Sequence, residues 1–501
     1  MKRTLVARLD FSATPKDQNG TFARLKTAFR SLNRHPLSCL LLKLRLVVNS
    51  NPIAPTIVPM VRSGCQTGWP DGMSTMPAET RSSAAGAVES LPLTGKRVVG
   101  VVYSGYWKPR PRMMAEALSK EGAHVEVICL RETDEEPQHE SLNGVRITRV
   151  RLKARRGRKF SYLFQYGSFI LISGAILTGR AWQRHYDLVH VHNMPDVLVF
   201  SALVPKILRA RVILDLHDPM PELMATIFRL RQNSYWVRVL EKLEKWSLLF
   251  ADAGLTVNDS CQKIFSGRSC PPQKITVVMN SPDETIFHYR EPSPPSLPRR
   301  DTSRPFVIMY HGTLVERNGL DLAVMAVGKV RESIPSVELR VYGHSTPFLE
   351  RVMNWVRESR LSDVVRYLGP KNLKQIAGAI DDCDVGIIPN RQSIFAELNT
   401  PMRIFEFLCQ GKPVIAPRAP GILDYFGPQD LVFFELGEPA DLAAKIEYIF
   451  KHPEEMNMMV RRGQKVFRAH RWSSERRRFV SLATRLLNVK CSAVERETIQ
   501  G

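Results

Sequence analysis

Short apolar runs rich in β-branched residues alternate along most of the chain with segments in which apolar residues have helical spacing. Apolar strands separated by helices are typical of a parallel sheet that is covered on both faces. A first series of runs lies at 97–104, 124–130, 187–193, 210–218, 253–259 and 274–280. A second series lies at 305–313, 337–343, 364–369, 384–390, 412–418 and 431–435. The pattern predicts two doubly wound α/β domains of similar size.

The segment between the two series, 288–304, is rich in proline and charge, which is typical of a linker. We therefore predict a first domain over 96–287 and a second domain over 305–470. Ligands of doubly wound sheets bind beyond the carboxyl ends of the strands. Two such domains joined by one linker predict an interdomain cleft that holds the ligand.

Residues 1–95 do not share this pattern, and 51–95 are rich in Pro, Ser, Thr, Gly and Ala. The apolar run at 37–48 is interrupted by two basic residues and lies too far from the start for a signal peptide. The Arg-rich, acid-poor beginning resembles a transit peptide only in composition. We expect a disordered or over-extended leader, with Met73 and Met76 just upstream of the first convincing strand.

Residues 160–177 carry no charge and directly follow the strongly basic segment 146–160. Eighteen residues is the lower limit for crossing a bilayer, and the tyrosines, serines, glycines and the glutamine make this a poor spanning helix. A buried or interface helix is the interpretation we favour. A helix attached to one leaflet of an anionic membrane and a transmembrane helix are the two alternatives.

Composition places the chain among globular proteins, because 44% of its 501 residues are hydrophobic and 24% are charged. The eight cysteines form no CxxC pair, and no histidine lies near them at a zinc-like spacing. We therefore expect a reducing compartment and no structural metal.

The formal net charge of +22 is unevenly distributed. Residues 1–50, 146–160 and 451–500 carry net charges of +8, +8 and +7. Local basic excess suits an anionic membrane surface, a nucleotide-type substrate or nucleic acid, and it also occurs on merely solvated faces. No nucleic-acid recognition module or aromatic-basic repeat accompanies it, so we expect no nucleic-acid partner.

The segment 398–416, LNTPMRIFEFLCQGKPVIA, contains the most informative motif. It predicts a helix with Arg403 and Glu406 on one face, followed by a strand at 413–416. A carboxylate at the carboxyl edge of a sheet can accept hydrogen bonds from a ribose diol. An arginine beside a helix N-terminus suits a diphosphate. A plain surface ion pair between the two side chains is the structural alternative.

A second motif, YHGTLVERNGLDLAVMAV at 310–327, predicts a strand, a turn and a helix. Gly312 lets a ligand approach the backbone closely at the end of the strand. Arg317 can reach a phosphate placed there. A purely structural turn is the alternative interpretation.

A third motif, DLHDPMPELM at 215–224, places His217 at the end of a buried strand. The prolines form a rigid turn that presents Glu222, although Asp218, which precedes them, could simply cap the next helix. His190 and His192 share a face of the preceding strand and could bind a metal. No third ligand follows them in the sequence, so we predict no metal site.

The order of these blocks resembles glycosyltransferase family 4, whose members are retaining enzymes of the GT-B fold. The resemblance covers 96–490 and is most specific in TPMRIFEFLCQGKPVIA, which is similar to the nucleotide-sugar motif of the family. MNSPDETIF at 279–287 resembles the family's entry to the linker. The basic helix at 471–490 resembles the segment that crosses back onto the first domain.

The resemblance implies a role for each matching residue. Glu406 matches the glutamate that binds ribose, and Glu397 lies one residue from Leu398, where the family has its first motif glutamate. The implied nucleotide-sugar-binding residues are Gly312, Thr313, Arg317, Arg403 and Glu406. The implied catalytic residues are His217, Glu222 and Glu397.

The implied reaction moves a hexose-type sugar from a nucleoside-diphosphate sugar to a glycan or lipid-linked acceptor, with retention of configuration. No metal or other cofactor is implied, because arginines and helix N-termini can neutralise the diphosphate. We expect a role in exopolysaccharide or lipopolysaccharide biosynthesis and a peripheral position on the cytoplasmic face of an anionic membrane. The alternative is a non-catalytic nucleotide- or glycan-binding partner of another transferase, suggested by departures from the family motif at Leu398, Thr313 and Asn318.

Overall fold

The computed structural model of the protein describes residues 91–152, 159–292 and 304–489. They form two α/β domains, each built on one mainly parallel sheet, as the alternating pattern predicts. Residues 1–90 of the predicted leader, the basic residues 153–158, most of the predicted linker and residue 490 lie outside the described residues.

The first domain contains one sheet. Its strands are β1 (Arg97–Val102), β2 (His124–Leu130), β3 (His139–Leu142), β4 (Val145–Val150), β5 (Leu188–His192), β6 (Arg211–Leu216), β7 (Ala253–Thr256) and β8 (Ile275–Val277). They follow the order β3-β4-β2-β1-β5-β6-β7-β8. All neighbouring pairs are parallel except β3 and β4, which are antiparallel.

Helices cover both faces of this sheet. They are α1 (Pro109–Lys120), α2 (Lys159–Gln183), α3 (Leu203–Ile207), α4 (Met220–Phe228), α5 (Tyr235–Phe250) and α6 (Asp259–Arg268), with short 3-10 helices at Asp196–Ala202 and Pro272–Lys274. Helix α1 packs on one face, and α2, α5, α6 and the 3-10 helix Asp196–Ala202 pack on the other. Successive strand residues alternate between these two cores, because side chains of a strand point to opposite faces.

The second domain repeats this architecture. Its strands are β9 (Phe306–His311), β10 (Val337–Tyr342), β11 (Val365–Tyr367), β12 (Val385–Ile387), β13 (Val414–Pro417) and β14 (Val432–Phe434). They are parallel, in the order β11-β10-β9-β12-β13-β14. The helices are α7 (Leu320–Val330), α8 (Pro347–Glu358), α9 (Leu373–Asp381), α10 (Ile394–Leu398), α11 (Met402–Cys409), α12 (Pro420–Leu423), α13 (Pro439–Lys451) and α14 (Pro453–Ala469), with a 3-10 helix at Glu316–Asn318.

The strand orders locate where a ligand can bind. The winding direction reverses between β1 and β5 in the first sheet and between β9 and β12 in the second. At such a switch point the loops leaving adjacent strands diverge and open a crevice at the carboxyl edge. The crevices therefore lie beside the loops that follow these four strands.

Helix α15 (Trp472–Leu486) follows the second domain but packs on the first. Phe479 is fully buried in the core that also contains α1, and its ring lies 5.2 Å from that of His190. The buried carboxylate of Glu475 accepts hydrogen bonds from the Met279 amide at 2.9 Å and from Arg478 at 2.6 Å. These contacts tie the end of the chain to the first domain.

The folded part of the first domain begins before the predicted boundary at residue 96. Leu93 is fully buried in the core beneath α1, and its amide donates a hydrogen bond to the carbonyl of Glu121. Sequence periodicity did not indicate this because a single buried leucine in a turn has no period.

The described part of the basic segment 146–160 is largely neutralised within the domain. Arg146 pairs with Glu126 at 2.8 Å, and Arg151 pairs with Asp134 at 3.0 Å. Arg149 is 1% exposed and pairs with Glu140 at 2.6 Å. Strand β4 therefore offers less free positive charge than the sequence suggests.

The uncharged segment 160–177 lies within α2. Phe169, Ser173 and Leu177 of this helix are buried against the sheet, which agrees with the interpretation that we favoured. Within the described ranges, the structure contains no helix whose length and apolar character would suffice to cross a membrane.

We expect Glu475→Ala to destabilise the protein by about 1–3 kcal/mol, because the buried amide of Met279 loses its acceptor and the partly exposed Arg478 loses its counter-charge. Denaturant unfolding measures the change. Glu447→Ala is the matched control, since Glu447 pairs with Lys451 on the exposed side of α13 and its loss should have little effect. Equal effects of the two substitutions would contradict the anchoring role of Glu475.

Candidate active site

The second-domain half of the site lies at the end of β9, where the chain leaves the sheet at Gly312. The Arg403 guanidinium donates a hydrogen bond to the carbonyl of His311 at 2.5 Å and lies over the ring of Tyr310, 4.9 Å from its centre. Gly312 has φ +127, and a Cβ there would lie 3.3 Å from Arg403. A side chain at residue 312 would be strained by this backbone angle and would crowd the guanidinium, so the turn favours glycine.

Glu406 lies one turn beyond Arg403 on α11 and is 2% exposed. Its Oε2 atom is 3.2 Å from Nε2 of His311. Burial raises the pKa of Glu406 to about 7, and Arg403 offsets this effect only in part. Burial, aided by Arg403, lowers the pKa of His311 to about 3. The histidine is therefore neutral at physiological pH, and the glutamate is near its midpoint.

These two side chains retain hydrogen-bonding capacity. Neither Oε2 of Glu406 nor Nε2 of His311 has a well-aligned hydrogen-bond partner among the described residues. Buried polar atoms without partners are costly and call for an explanation, such as a bound water, an ion or a ligand. A buried carboxyl group with a free acceptor at the carboxyl edge of a sheet is suited to a sugar hydroxyl.

The turn from Gly312 to Gly319 is held by side chains that donate to its backbone. The carbonyl of Thr313 accepts hydrogen bonds from the Asn318 amide group at 2.8 Å and from the Tyr310 hydroxyl at 3.2 Å. Gly319 has φ +67, and a Cβ there would overlap the carbonyl oxygen of Pro389, in the loop after β12. The turn is thereby pressed against the second loop of the switch point, while the Thr313 side chain stays exposed.

The first-domain half centres on Asp215, a fully buried residue of β6. The Arg110 guanidinium donates to both of its oxygens, at 2.8 to 3.1 Å, and also to the carbonyl of Val278 at 2.7 Å. Burial alone would raise the pKa of Asp215, but Arg110 and neighbouring imidazoles hold it well below the usual range. Asp215 is thus a permanent negative charge balanced by one arginine.

Three histidines surround this carboxylate. Oδ2 of Asp215 lies 3.5 Å from His190, 3.2 Å from His192 and 3.4 Å from His217. Nδ1 of His192 and Nε2 of His217 are 3.0 Å apart and share one hydrogen bond. Burial lowers the pKa of both His190 and His192, which keeps them neutral. Of the three, only His217 reaches solvent, with 23% of its side chain exposed.

The backbone around His217 is fixed by Asn193, which follows β5. Its side-chain carbonyl accepts the His217 amide at 2.9 Å, and its NH2 group donates to the carbonyl of Asp218 at 3.0 Å. The loops that follow β5 and β6 are therefore joined, and the imidazole of His217 is presented at the carboxyl edge.

His190, His192 and Asp215 place one potential metal ligand each within 4.8 Å of one another. This third ligand was not evident from the sequence, where it belongs to a different strand. Arg110 already donates to both carboxylate oxygens of Asp215, so a divalent cation here would lie against a guanidinium. The donor set does not fit a metal, and a metal-free reaction stays a prediction.

The two halves face each other across the interdomain cleft. Arg229 pairs with Glu316 of the Arg317 turn at 2.9 Å. Burial raises the pKa of Asp218, and the charges of His217 and Arg317 partly counter that rise. His217 and Arg317, predicted from separate motifs and separate domains, thus both lie near Asp218.

A second row of cross-domain contacts closes the cleft beside α6. The NH2 group of Asn258, which also caps α6, donates to the carbonyl of Leu398 at 2.8 Å and to the Thr400 hydroxyl at 3.0 Å. Lys263 pairs with Asp424 at 3.0 Å. Leu398 therefore meets the first domain through its backbone carbonyl.

Comparison with known protein families gives an independent assignment. Residues 108–281 match the model of the glycosyl transferase 4-like domain, and residues 298–466 match that of glycosyl transferases group 1. Together the two models account for most of the described chain. The chain belongs to the glycosyltransferases of the GT-B fold.

Curated relatives of this glycosyltransferase are distant. It is 31% identical over 90 residues to TuaH of Bacillus subtilis, named as a glycosyltransferase of teichuronic acid biosynthesis, covering 18% of this chain and 22% of TuaH. It is 22% identical over 257 residues to glycogen synthase of Mycobacterium tuberculosis, covering 49% of this chain and 55% of that enzyme. The chain thus spans about half, or less, of the length of these relatives.

Solved structures of glycosyltransferases share its fold. Sucrose-phosphate synthase of Thermosynechococcus elongatus superposes with a TM-score of 0.62 at 17% identity, covering 79% of this chain and all of that one. HepE of Anabaena, in complex with UDP, gives 0.57 at 14%, covering 78% and 100%. The catalytic domain of starch synthase IV of Arabidopsis thaliana, bound to ADP and acarbose, gives 0.57 at 15%, covering 78% and 99%. These likenesses confirm the predicted GT-B fold.

Two predicted site residues of this glycosyltransferase lie outside the groups described above. Both oxygens of Glu222 accept hydrogen bonds from Arg268, at 2.6 and 3.0 Å, and Arg268 in turn pairs with the buried Glu244. Glu222 thus joins helices α4, α5 and α6 and is not part of the His217 cluster. Glu397 lies in the short helix α10, and its carboxylate makes no hydrogen bond or ion pair with another described residue. Catalytic roles for both stay predictions.

Asp215 and Arg110 were not predicted as site residues. One signal was available: a charged residue at position 215 interrupts the apolar run of a buried strand. In the sheet, His192 is directly paired with Asp215 on the neighbouring strand. Pairing of this kind depends on strand order, which the sequence pattern did not specify.

We expect Asp215→Asn to destabilise the protein by about 3–5 kcal/mol, because Arg110 loses its counter-charge in a buried position. The folded-state pKa of Asp215 is depressed, so its contribution is present at neutral pH and is lost only as pH falls below about 4. Unfolding of both proteins at pH 8 and pH 5.5 should show the same deficit. Asp134→Asn, at an exposed ion pair, is the control; a deficit as small as the control's would contradict this role.

We expect Glu406→Gln to remove a pH dependence of stability. In the wild type the folded state keeps a proton on Glu406 up to about pH 7, whereas the unfolded state releases it near pH 4.5. Stability therefore falls as pH rises through this interval. Relative to wild type, the variant should gain up to about 3 kcal/mol between pH 5 and pH 8. A difference between the two unfolding free energies that does not change with pH would refute the raised pKa.

Proposed function

We propose that this glycosyltransferase moves a hexosyl group from a nucleoside-diphosphate sugar to a glycan or lipid-linked acceptor with retention of configuration. One observation carries the proposal. A buried glutamate with a free acceptor and two arginines, Arg403 and Arg317, line one wall of a cleft whose other wall presents His217. A nucleoside diphosphate requires this combination of an acceptor for ribose and cations for phosphates.

The second domain would hold the nucleotide. Glu406 would accept hydrogen bonds from the ribose hydroxyls, with His311 beside it. Arg403 has one N–H group engaged by the His311 carbonyl, which fixes its plane and leaves other donors for phosphate oxygens. Arg317 makes no side-chain hydrogen bond or ion pair with the described residues and can turn toward the diphosphate.

Stabilisation of the developing charge lowers the activation barrier for bond cleavage. Negative charge develops on the leaving diphosphate as the glycosidic bond breaks, so positive groups fixed in advance stabilise the transition state more than the ground state. The N-terminus of α7 and the two arginines would provide this positive potential. We propose that the acceptor attacks from the side that the leaving phosphate occupies, with that phosphate taking the acceptor proton, which retains the configuration.

The first domain would bind the sugar and the acceptor. The neutral His192 and the charged Asp215 hold the imidazole of His217 at the cleft, where it can bond a sugar hydroxyl. Closure of the two walls would exclude water and limit hydrolysis of the donor.

The neighbours support the class of donor and acceptor. HepE was solved in complex with UDP, and starch synthase IV was solved with ADP and acarbose bound. TuaH is named for teichuronic acid biosynthesis, and glycogen synthase for a glucan. We propose a glycan-assembly role of this kind, in exopolysaccharide or lipopolysaccharide biosynthesis, on the inner face of an anionic membrane.

We expect Glu406→Ala to reduce release of nucleoside diphosphate from a panel of UDP- and GDP-sugars by about a hundredfold or more, while circular dichroism shows an intact fold. Glu358→Ala, an exposed glutamate at the far end of α8, is the control. A thermal shift with UDP or GDP reports nucleotide binding separately, since a ligand of the native state raises the melting temperature. Unchanged turnover in Glu406→Ala would sink the assignment, and nucleotide binding without turnover in the wild type would support the non-catalytic alternative.

A further inference from the structure

Helix α2 has two apolar sides, only one of which is covered. Phe169, Ser173 and Leu177 recur every four residues and are buried against the sheet. On the opposite side, Leu171 is 75% exposed and Trp182 is 78% exposed. A helix that only fills a core carries polar residues on its outer side, so the outer side of α2 requires a different explanation.

The neighbouring helices extend this exposed apolar surface. The 3-10 helix Asp196–Ala202 and α3 pack beside α2, and α5 packs against the same 3-10 helix. Ile207 is 70% exposed and Trp246 is 57% exposed. We define the outer face as the exposed apolar side chains of these elements, which are Phe164, Leu171, Ile172, Trp182, Phe200, Leu203, Ile207, Trp246 and Leu249.

Positive charge without acidic partners surrounds the outer face. The exposed bases on or next to its helices with no ion pair to a described residue are Arg184, Arg209, Arg238, Lys242 and Lys245. Helix α2 has no acidic residue, and Asp196 and Glu244 are buried. Glu241 lies 3.7 Å from Arg268. Glu241 keeps 39% of its side chain exposed, but the exposed bases outnumber it, so the net charge presented outward is positive.

The outer face continues toward the catalytic cleft. Ile227 and Phe228, at the end of α4, and Tyr235 and Trp236, at the start of α5, are all exposed. Arg229 between them pairs with Glu316 of the second domain. A surface that begins on α2 thus reaches the mouth of the cleft, where an acceptor would enter.

The chemistry of the outer face fits a bilayer better than a second copy of the chain. A symmetric dimer would bring the same uncompensated bases of two subunits together. Tryptophan and tyrosine lie preferentially at the level of lipid headgroups, and lysine and arginine beside them are attracted to anionic lipids. We propose that the outer face docks the protein on an anionic lipid surface and lies along it without crossing it.

The membrane affinity that the basic segments of the sequence suggest is here assigned to the helices of the outer face. The described bases of β4 and several of α14 and α15 are already paired with acidic side chains, among them Arg468 with Glu291 and Arg476 with Glu121. Other bases of α14 and α15, such as Arg485, have no ion pair with a described residue, but α2 and α5 combine such bases with exposed tryptophans and form the proposed contact. The docking proposal rests on the proposed function in one respect, namely that docking would bring the enzyme to its acceptor. Lipid binding itself can be measured without turnover.

The test is co-flotation of the full chain with vesicles of phosphatidylcholine alone or with roughly one-third phosphatidylglycerol. We expect binding to the anionic vesicles only, and weakening at high salt because the attraction is screened. The double substitution Trp182→Ala and Trp246→Ala should lower the vesicle affinity by at least about tenfold. Trp107→Ala is the matched control, since Trp107 is 56% exposed but lies outside the outer face.

Each outcome decides the proposal. Loss of binding in the double variant but not in Trp107→Ala supports it. Residues 1–90 are present in every variant, so binding through them would leave the double variant bound like wild type and would overturn it. The proposal would also be overturned if the wild-type protein did not bind anionic vesicles. It would be overturned as well if the wild-type protein self-associated without lipid and the double variant did not. A UDP thermal shift on the same proteins tests the proposed function separately, because the outer face contains no nucleotide-binding residue.

Discussion

Asp215 is a fully buried charge at the carboxyl edge of the first sheet, and much of the site depends on how that charge is balanced. Arg110 donates to both of its oxygens and also to the end of β8, while three imidazoles surround the remaining space. An unpaired carboxylate in this position would cost several kcal/mol. The pair therefore fixes the loop after β1, the ends of β5 and β6, and the one imidazole that reaches the cleft.

At the equivalent edge of the second sheet, the buried carboxyl group is not paired with a cation. Glu406 is buried without a matching cation in contact, so its pKa rises toward 7, and its neighbour His311 is kept neutral. A half-protonated carboxyl group can accept and donate hydrogen bonds, which suits a diol better than an ion pair would. The buried carboxylate of the first domain is thus charge-balanced, whereas that of the second domain retains an unsatisfied oxygen atom.

Charge on the outside of the molecule follows a related principle. Basic residues that are prominent in the sequence, such as Arg149 and Arg476, are partnered within the fold. Uncompensated bases lie on α5 and around the exposed tryptophans of the outer face, and also on α14 and α15, as with Lys465, Arg477 and Arg485. Positive charge alone therefore does not identify a binding surface; its coincidence with exposed apolar side chains distinguishes the outer face.

The sequence by itself determined the architecture, because apolar strands with intervening helices can be buried only as a parallel sheet with helices on both faces, and this periodicity is local. It also determined which strand ends carry polar chemistry, so that Gly312, Arg403, Glu406 and His217 could be selected. Only the tertiary structure decided what those residues contact. Strand order placed His192 beside Asp215, ion pairing drew Glu222 to Arg268, and packing left one side of α2 exposed. Each of these depends on contacts between residues far apart in the chain, which no local pattern records.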